Sequence, residues 1–316
     1  MSNIYQQIWN SDRHKFLVSP RDENRGWLDP HADILLDEQI RAFNRHDLDL
    51  AKKPLFYRVK EEKFYRGTTY NRLIDLLDNY QFDNQKSEIV TKEERAEVEL
   101  FLDSICQTEA IALAYEYIVK QLEVDFSHIS FKEKLKHIWF KLYTNFFGNI
   151  PARDASGFEH IFVGEGKYYP SQIDESRIIG ELSGYHSWVK FYLDEKQHKA
   201  NYLGHNYIIE GNSGVENPYV VTVQMRWEDR DKYTNTPIEL FKKRGCFFVG
   251  TSPECEIAMG TVAFYESLLN YKFNDEKRPI TINGAKYNLA LYRNTKIDDS
   301  RGDYIRSFYP IYLGCE

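Results

Sequence analysis

The sequence has few cysteines and no long apolar run. Its four cysteines, Cys106, Cys246, Cys255 and Cys315, form no CxxC pair and no Cys/His ligand spacing, which argues against a zinc site or a disulfide scaffold. No run of about 18 apolar residues occurs, so we predict no membrane span. The first residues, MSNIYQQIWNSDRHKF, lack the pattern of a secretory signal. We therefore expect a cytoplasmic or otherwise intracellular protein, with secretion left open if a signal peptide has been removed.

The chain also lacks a basic excess. It carries 41 Lys and Arg against 48 Asp and Glu, a formal net charge of −7. Proteins with a long nucleic-acid footprint usually carry a positive excess, so this charge argues against a broad, sequence-blind binder. It is compatible with a local basic pocket that holds a few nucleotides. The phosphate-binding patterns GxGxxG and GKS/GKT are missing as well.

What the chain does have is a change of pattern near its middle. Its 316 residues, 42% of them hydrophobic, suffice for one large domain or two ordinary ones. Helical spacing dominates from Tyr70, with a capping box at Thr91-Lys-Glu-Glu94. After residue 150 the segments become short, aromatic and β-branched, as strands are. We predict an α+β fold in which a mainly helical region, 1–150, and a β-rich catalytic region, 151–316, together form one unit.

Several local predictions can be compared with the structure. Residues 1–66 are interpreted as irregular, with one short helix after Pro30. Helical stripes indicate helices from about Thr108 to Leu122, from Phe131, and over residues 253–271. His137, beside one stripe, is interpreted as a surface residue. The segments predicted as strands are GFEHIFVGE, HSWVKFYLD, NPYVVTVQMRW and CFFVGT. PITI-Asn283-Gly284-AKYNLALYR is predicted to form a hairpin with an Asn-Gly turn.

Two histidines form the one suggestive constellation. His160 follows Gly157-Phe-Glu and His186 follows Gly184-Tyr, each at a predicted strand edge after a glycine-bearing turn. Two imidazoles that face one phosphate can divide proton transfer, one taking the 2′-hydroxyl proton and the other protonating the 5′-oxygen. A lysine could stabilise the charge that develops at phosphorus. On this pattern alone, structural histidines or metal-ligating histidines are also compatible, although no HExxH helix supports metal.

At these residues the sequence resembles the EndoU (XendoU-like) family of poly(U)-specific endoribonucleases. Several separated blocks occur in family order and cover roughly residues 85–316: SGFEHIFVGE, GYHSWVKFYLDEK, FFVGTSPECEIAMGTVAF and SFYPIYL, with helical blocks FLDSICQTEAIALA and KLKHIWFKLY before them. One departure is the insertion YYPSQIDESRIIGELS at 168–183, which we interpret as a longer hairpin loop at the surface.

The resemblance implies roles for individual residues. His160 and His186 match the catalytic histidines, and Lys242 matches the catalytic lysine, with Lys243 as its competitor. Cys246 stands where relatives carry a serine, and a thiol is the weaker hydrogen-bonding partner. Ser307 matches a hydroxyl residue that contacts uracil, and Tyr309 an aromatic residue that packs on the sugar or base. The metal-dependence carboxylates correspond to Glu159 and Glu165.

The resemblance also implies a function. We expect a uridine-preferring endoribonuclease that cuts single-stranded RNA by 2′-OH transesterification, leaving 2′,3′-cyclic phosphate and 5′-OH ends. DNA, which lacks the nucleophile, should not be cut. We expect dependence on Mn²⁺ or Ca²⁺, acting indirectly on the cleft, and a monomeric protein. Two alternatives are a catalytically silent RNA-binding module of the same fold and a secreted toxin-type nuclease.

Overall fold

The fold combines α-helices with antiparallel and mixed sheets, as the sequence predicts. The computed structural model describes residues 3–22, 26–37, 41–43, 45, 47–65, 69–126, 129–147, 150–169, 176–205, 216–231, 234–270 and 277–315. Residues 170–175, the middle of the insertion, lie outside the described residues. Within these ranges, no helix is long and apolar enough to cross a membrane.

The helices concentrate before residue 150. They are α1 (Ile4–Ser11), α2 (Thr69–Asp75), α3 (Lys92–Ile105), α4 (Glu109–Gln121), α5 (Phe131–Phe140), α6 (Trp188–Lys196) and α7 (Pro253–Leu268). The predicted capping box is confirmed, because Thr91 Oγ1 accepts from Glu94 N and the Glu94 carboxylate accepts from Thr91 N. The predicted helices at α4, α5 and α7 are confirmed too, and His137 is exposed on α5.

The strands form separate sheets. They are β1 (Val18–Asp22), β2 (Gly26–Trp27), β3 (Ile34–Leu36), β4 (Phe56–Val59), β5 (Tyr143–Phe147), β6 (Ile150–Ala155), β7 (Glu165–Tyr168), β8 (Ile178–Ser183), β9 (Ala200–His205), β10 (Tyr219–Arg230), β11 (Pro237–Val249), β12 (Pro279–Ile282), β13 (Ala285–Thr295) and β14 (Arg301–Cys315). A four-stranded sheet has the order β2-β1-β3-β4, a five-stranded one β7-β8-β11-β10-β9, a three-stranded one β12-β13-β14, and β5 pairs with β6.

Packing joins the early helices to the later half of the chain. Helix α4 lies against both α1 and α7, and α5 contacts β14. Helix α7 is buried along nearly its whole length, and Trp139 of α5 donates its indole N–H to Thr261 Oγ1 at 3.0 Å. The buried hydrophobic cluster includes residues from both sides of residue 150. The turn that carries His160 rests on this core, and so does α6, which follows His186.

Several sequence predictions are wrong. Residues 1–66 are not irregular, since α1 and β1 to β4 lie there, and the predicted helix after Pro30 is replaced in the described part of that segment by β3. GFEHIFVGE forms a π-helical turn, Glu159–Val163, before β7 begins at Glu165, and HSWVKFYLD forms α6. Short apolar runs buried on all sides carry no periodicity that separates helix from strand. The strands predicted at β10 and β11 and the Asn-Gly hairpin of β12 and β13 are confirmed.

Candidate active site

His160 lies on the π-helical turn Glu159–Val163. The turn closes through a bond from Gly164 N to Glu159 O of 2.8 Å, and all five of its residues are buried. Phe158 and Phe162 anchor it, with ring centroids 4.9 Å apart. Single π-helical turns are rare and occur often at functional sites. His160 itself is 7% exposed, so its imidazole is fixed by the surrounding protein and does not move freely in solvent.

The segment before His186 is bonded directly to that turn. Tyr185 N donates to His160 O at 2.8 Å, and His186 N donates to Ile161 O at 2.6 Å. Gly184 has a φ of +64°, and an added Cβ would lie 1.9 Å from the His160 carbonyl oxygen, so only glycine fits there. These bonds hold the two imidazoles with ring centroids 6.3 Å apart. The histidines therefore come from a helical turn and a loop, and not from the strand edges that the sequence predicted.

The tautomer of His186 follows from its partner. Its Nδ1 lies 2.7 Å from the Cys246 carbonyl oxygen, which can only accept, so Nδ1 carries the hydrogen. In the neutral ring the lone pair is then on Nε2. Burial first, and then the charge of Lys242, hold the pKa of His186 well below its ordinary value. At neutral pH this imidazole is an unprotonated acceptor.

Lys242 is separated from its neighbours by a β-bulge. Val223 pairs with Gly245, whereas Met225 pairs with Lys242, so β11 has an extra residue there. A bulge redirects the side chains beside it. Lys242 is buried at 7% exposure, whereas Lys243 and Arg244 are exposed. Its Nζ donates to the Leu182 carbonyl at 3.4 Å, and burial lowers its pKa to about 8.

Glu165 connects His160 to a residue that the sequence analysis missed. Arg306 on β14 donates to both Glu165 oxygens, at 2.6 and 2.7 Å, and Glu165 Oε1 lies 3.2 Å from His160 Nδ1. Burial opposes ionisation, but Arg306 and His160 hold the pKa of Glu165 well below its ordinary value. Burial and then Arg306 lower the pKa of His160 to about 4. The only signal in the sequence was a lone arginine between Ile305 and Ser307 in an apolar segment.

The two predicted metal carboxylates do not fit a metal centre directly. Both Glu165 oxygens are bound by Arg306. Burial, followed by the charges of Glu165 and Glu88, raises the pKa of Glu159 well above its ordinary value, which favours the neutral carboxyl. Ca²⁺ takes six to eight oxygen ligands, and no cluster of three or more acidic, histidine or cysteine side chains in the described ranges could hold an ion. The expected Mn²⁺ or Ca²⁺ dependence stays a prediction.

The predicted substrate residues lie on strands beside the histidines. The Tyr309 ring stacks on the His186 ring at 4.6 Å and 18°. Ser307 is buried two residues earlier on β14, opposite Tyr292. The Cys246 side chain faces Thr222, with Sγ and Oγ1 3.4 Å apart, while its carbonyl accepts from His186. Cys246 thus contributes to the site through its backbone.

On an α+β fold, these residues form a candidate acid–base site with two buried imidazoles and one buried lysine. A family model described as Endoribonuclease XendoU matches residues 2–310. The chain is 33% identical over 315 residues to poly(U)-specific endoribonuclease-A of Xenopus laevis, covering 99% of this chain and 94% of that protein. Uridylate-specific endoribonuclease C of Danio rerio is 32% identical over 314 residues, covering 99% and 88%.

A solved structure gives the same relationship. It is described as the structure of XendoU, a splicing independent snoRNA processing endoribonuclease, and it aligns with a TM-score of 0.68 at 29% identity. The alignment covers 99% of this chain and 96% of that one. The chain belongs to the XendoU endoribonuclease family. The resemblance inferred from the sequence blocks is therefore confirmed.

Proposed function

We propose that the protein is a uridine-preferring endoribonuclease that cuts single-stranded RNA through attack of the 2′-hydroxyl on the adjacent phosphate. The products are a 2′,3′-cyclic phosphate and a 5′-hydroxyl. The observation that carries the proposal is the pair of buried imidazoles, 6.3 Å apart, in a chain of the XendoU family. That separation leaves room for a phosphodiester whose attacking and leaving oxygens lie on opposite sides of phosphorus.

His186 acts as the general base in this mechanism. Its Nδ1 hydrogen is held by the Cys246 carbonyl, so Nε2 has the lone pair that takes the 2′-hydroxyl proton. Burial keeps the ring neutral before substrate arrives. The 2′-oxygen then forms a bond to phosphorus as the bond from phosphorus to the 5′-oxygen breaks.

His160 acts as the general acid and protonates the departing 5′-oxygen. The ring is neutral in the free protein, so it must take a proton from solvent as RNA binds. A bound phosphate brings negative charge beside the imidazole, which favours the protonated form. Glu165 faces Nδ1 at 3.2 Å, outside hydrogen-bonding geometry in the free protein, and so leaves Nε2 to carry the transferred proton. Lys242 stabilises the extra negative charge on the five-coordinate phosphorus.

Wild-type protein incubated with a mixed-sequence oligoribonucleotide should cut after uridines. The cut ends should be 2′,3′-cyclic phosphates and 5′-hydroxyls, identified by mass spectrometry, and the matching DNA oligonucleotide should stay intact because it lacks the nucleophile. Protein that binds the RNA without cutting it would instead favour the alternative, a catalytically silent RNA-binding module.

A parallel incubation with EDTA addresses the proposed Mn²⁺ or Ca²⁺ dependence. Because Glu165 is bound to Arg306 and the raised pKa of Glu159 favours its neutral form, we propose that the ion acts indirectly, by ordering the cleft or screening acidic groups near the RNA. Saturating EDTA should then slow cleavage without changing the cut sites or the ends. Unchanged rates would remove the metal from the proposal.

Ser307 is proposed to distinguish uridine from cytidine. A hydroxyl can both donate and accept, so it can pair with the O2 and N3–H edges of uracil, and cytosine lacks that N3–H. Replacing U by C in the substrate should reduce cutting several-fold. Ser307→Ala should lower the U-to-C ratio of kcat/KM by about fivefold, which corresponds to a net hydrogen bond of about 1 kcal/mol. Ser307→Thr keeps the hydroxyl and serves as control, and an unchanged ratio in Ser307→Ala would refute the role.

A further inference from the structure

We propose that Arg306 is a positioning residue for the general acid, holding Glu165 in the one orientation that aligns His160 with the leaving oxygen. The inference rests on the proposed function. Arg306 is 6% exposed, and its guanidinium donates two hydrogen bonds to the Glu165 carboxylate. It therefore acts on the reaction through Glu165 and His160.

The geometry of the three residues forms a directed chain. Two parallel bonds from Arg306 to Glu165, of 2.6 and 2.7 Å, fix the plane of the carboxylate. One of those oxygens, Oε1, lies 3.2 Å from His160 Nδ1. A carboxylate held in this way restricts how the imidazole can turn, and so restricts the direction of Nε2.

The backbone of β14 is shaped to deliver Arg306 to this position. Tyr292 pairs with Ser307 and Arg293 pairs with Ile305, so Arg306 is an extra residue on its strand. Such a bulge re-aims the side chain of the extra residue. The Tyr143 hydroxyl donates to the Ile305 carbonyl at 2.8 Å. Gly157 allows close approach, since an added Cβ would lie 2.7 Å from that same oxygen.

The charge of Arg306 also suits the acid role. A lone carboxylate beside His160 would stabilise the imidazolium and make it hold its proton more tightly. Arg306 offsets that charge, so Glu165 can orient the ring without retaining the proton that Nε2 must give up.

A second buried ion pair, between Arg278 and Glu266, serves as a comparison because it lies outside the candidate site. Arg278 Nε donates to Glu266 at 2.8 Å, and both side chains are almost fully buried. Glu266 also accepts from the hydroxyls of Tyr5 and Tyr117. In that pair the other partners of the carboxylate are tyrosines, whereas at Arg306 the other partner is a proposed catalytic imidazole. Arg278→Lys is therefore the matched control.

The test compares two substrates that share the uracil and the 2′-hydroxyl but differ in the leaving group. In uridylyl-adenosine the leaving 5′-oxygen needs a proton. In uridine 3′-(4-nitrophenyl phosphate) the nitrophenolate leaves as a stable anion and needs none. Arg306→Gln should lower kcat for the dinucleotide by about 10²-fold, the scale of a misplaced catalytic group. KM and the rate on the aryl ester should change no more than a few-fold.

Controls separate positioning from damage to the fold. Arg306→Lys keeps the charge but not the planar fork, so its kcat on the dinucleotide should lie between those of wild type and Arg306→Gln. His160→Ala should lose activity selectively on the dinucleotide, as Arg306→Gln does. His186→Ala should lose activity on both substrates. Arg278→Lys should lower the melting temperature while the ratio of the two rates stays at the wild-type value.

Two results would overturn the inference while leaving the proposed function intact. One is an Arg306→Gln variant whose activity falls equally on both substrates, as general disorder of the site would produce. The other is an unchanged dinucleotide kcat in that variant. Failure of the proposed function is a separate observation, because wild-type protein would then cut neither substrate.

Discussion

His186→Ala should reduce kcat/KM for a uridine-containing oligoribonucleotide by about 10²- to 10⁴-fold, the range typical of a lost general base or acid. The variant removes the Nε2 lone pair that the Cys246 carbonyl sets in place. It keeps the backbone bond from residue 186 to the Ile161 carbonyl, so the loop should still be joined to the His160 turn. Single-turnover cleavage at saturating protein would measure the loss directly.

The same variant has a stability signature with a defined sign. Burial holds the pKa of His186 well below 6.5 in the folded protein, whereas the unfolded chain takes up a proton below about 6.5. Wild type therefore loses stability as the pH falls through that value, and the alanine variant should lose less. Urea unfolding at pH 7 and pH 5.5 gives the comparison. His137→Ala, at an exposed position on α5, is the control and should be fully active.

Activity persisting in His186→Ala would overturn the mechanism. A dead His186→Ala variant that is also unfolded would not support it either, so near-ultraviolet circular dichroism has to show native packing. Some loss of stability is expected, since the Cys246 carbonyl loses its partner at a cost of about 1–3 kcal/mol.

The sequence predicted the helices of 10 residues or more, α3, α4, α5 and α7, from long apolar stripes and caps. The apolar stripe and capping box of α3 are of this kind, with Phe101, Leu102 and Ile105 buried and the box exposed. Prediction failed where an element is short, at most 9 residues long. The His160 turn is entirely buried, α6 buries Trp188, Val189 and Phe191 among aromatic rings, and Ile34 to Leu36 of β3 have no exposed face.

The candidate site shows a similar division. The family resemblance gave His160, His186 and Lys242 as candidate catalytic residues, but it gave no information on their geometry. The identity of the partners depends on contacts between distant segments, such as Arg306 with Glu165, 141 positions apart. Two β-bulges, one near Lys242 and one at Arg306, shift the register by one residue. Strict alternation along a strand cannot anticipate such a shift.

The choice between Lys242 and Lys243 turns on that first bulge. Lys242→Ala should lower kcat by about 10²- to 10³-fold, because it removes the group proposed to stabilise charge that develops only in the transition state. Lys243→Ala should leave kcat nearly unchanged, since its side chain lies on the exposed side of β11. The two variants remove the same atoms and the same positive charge from adjacent positions. Lys243→Ala is therefore the control for the loss of positive charge.

The pH dependence of kcat/KM identifies the lysine independently of these losses. Burial lowers the pKa of Lys242 to about 8, so wild-type kcat/KM should fall as the pH rises through that value and the charge is lost. Lys242→Arg keeps its proton at every accessible pH, so the variant should be slower at pH 7 but should lack the alkaline fall. An inactive Lys243→Ala variant together with an active Lys242→Ala variant would assign the catalytic role to Lys243 instead. An alkaline fall retained in Lys242→Arg would show that another group titrates there, and that the buried lysine is structural.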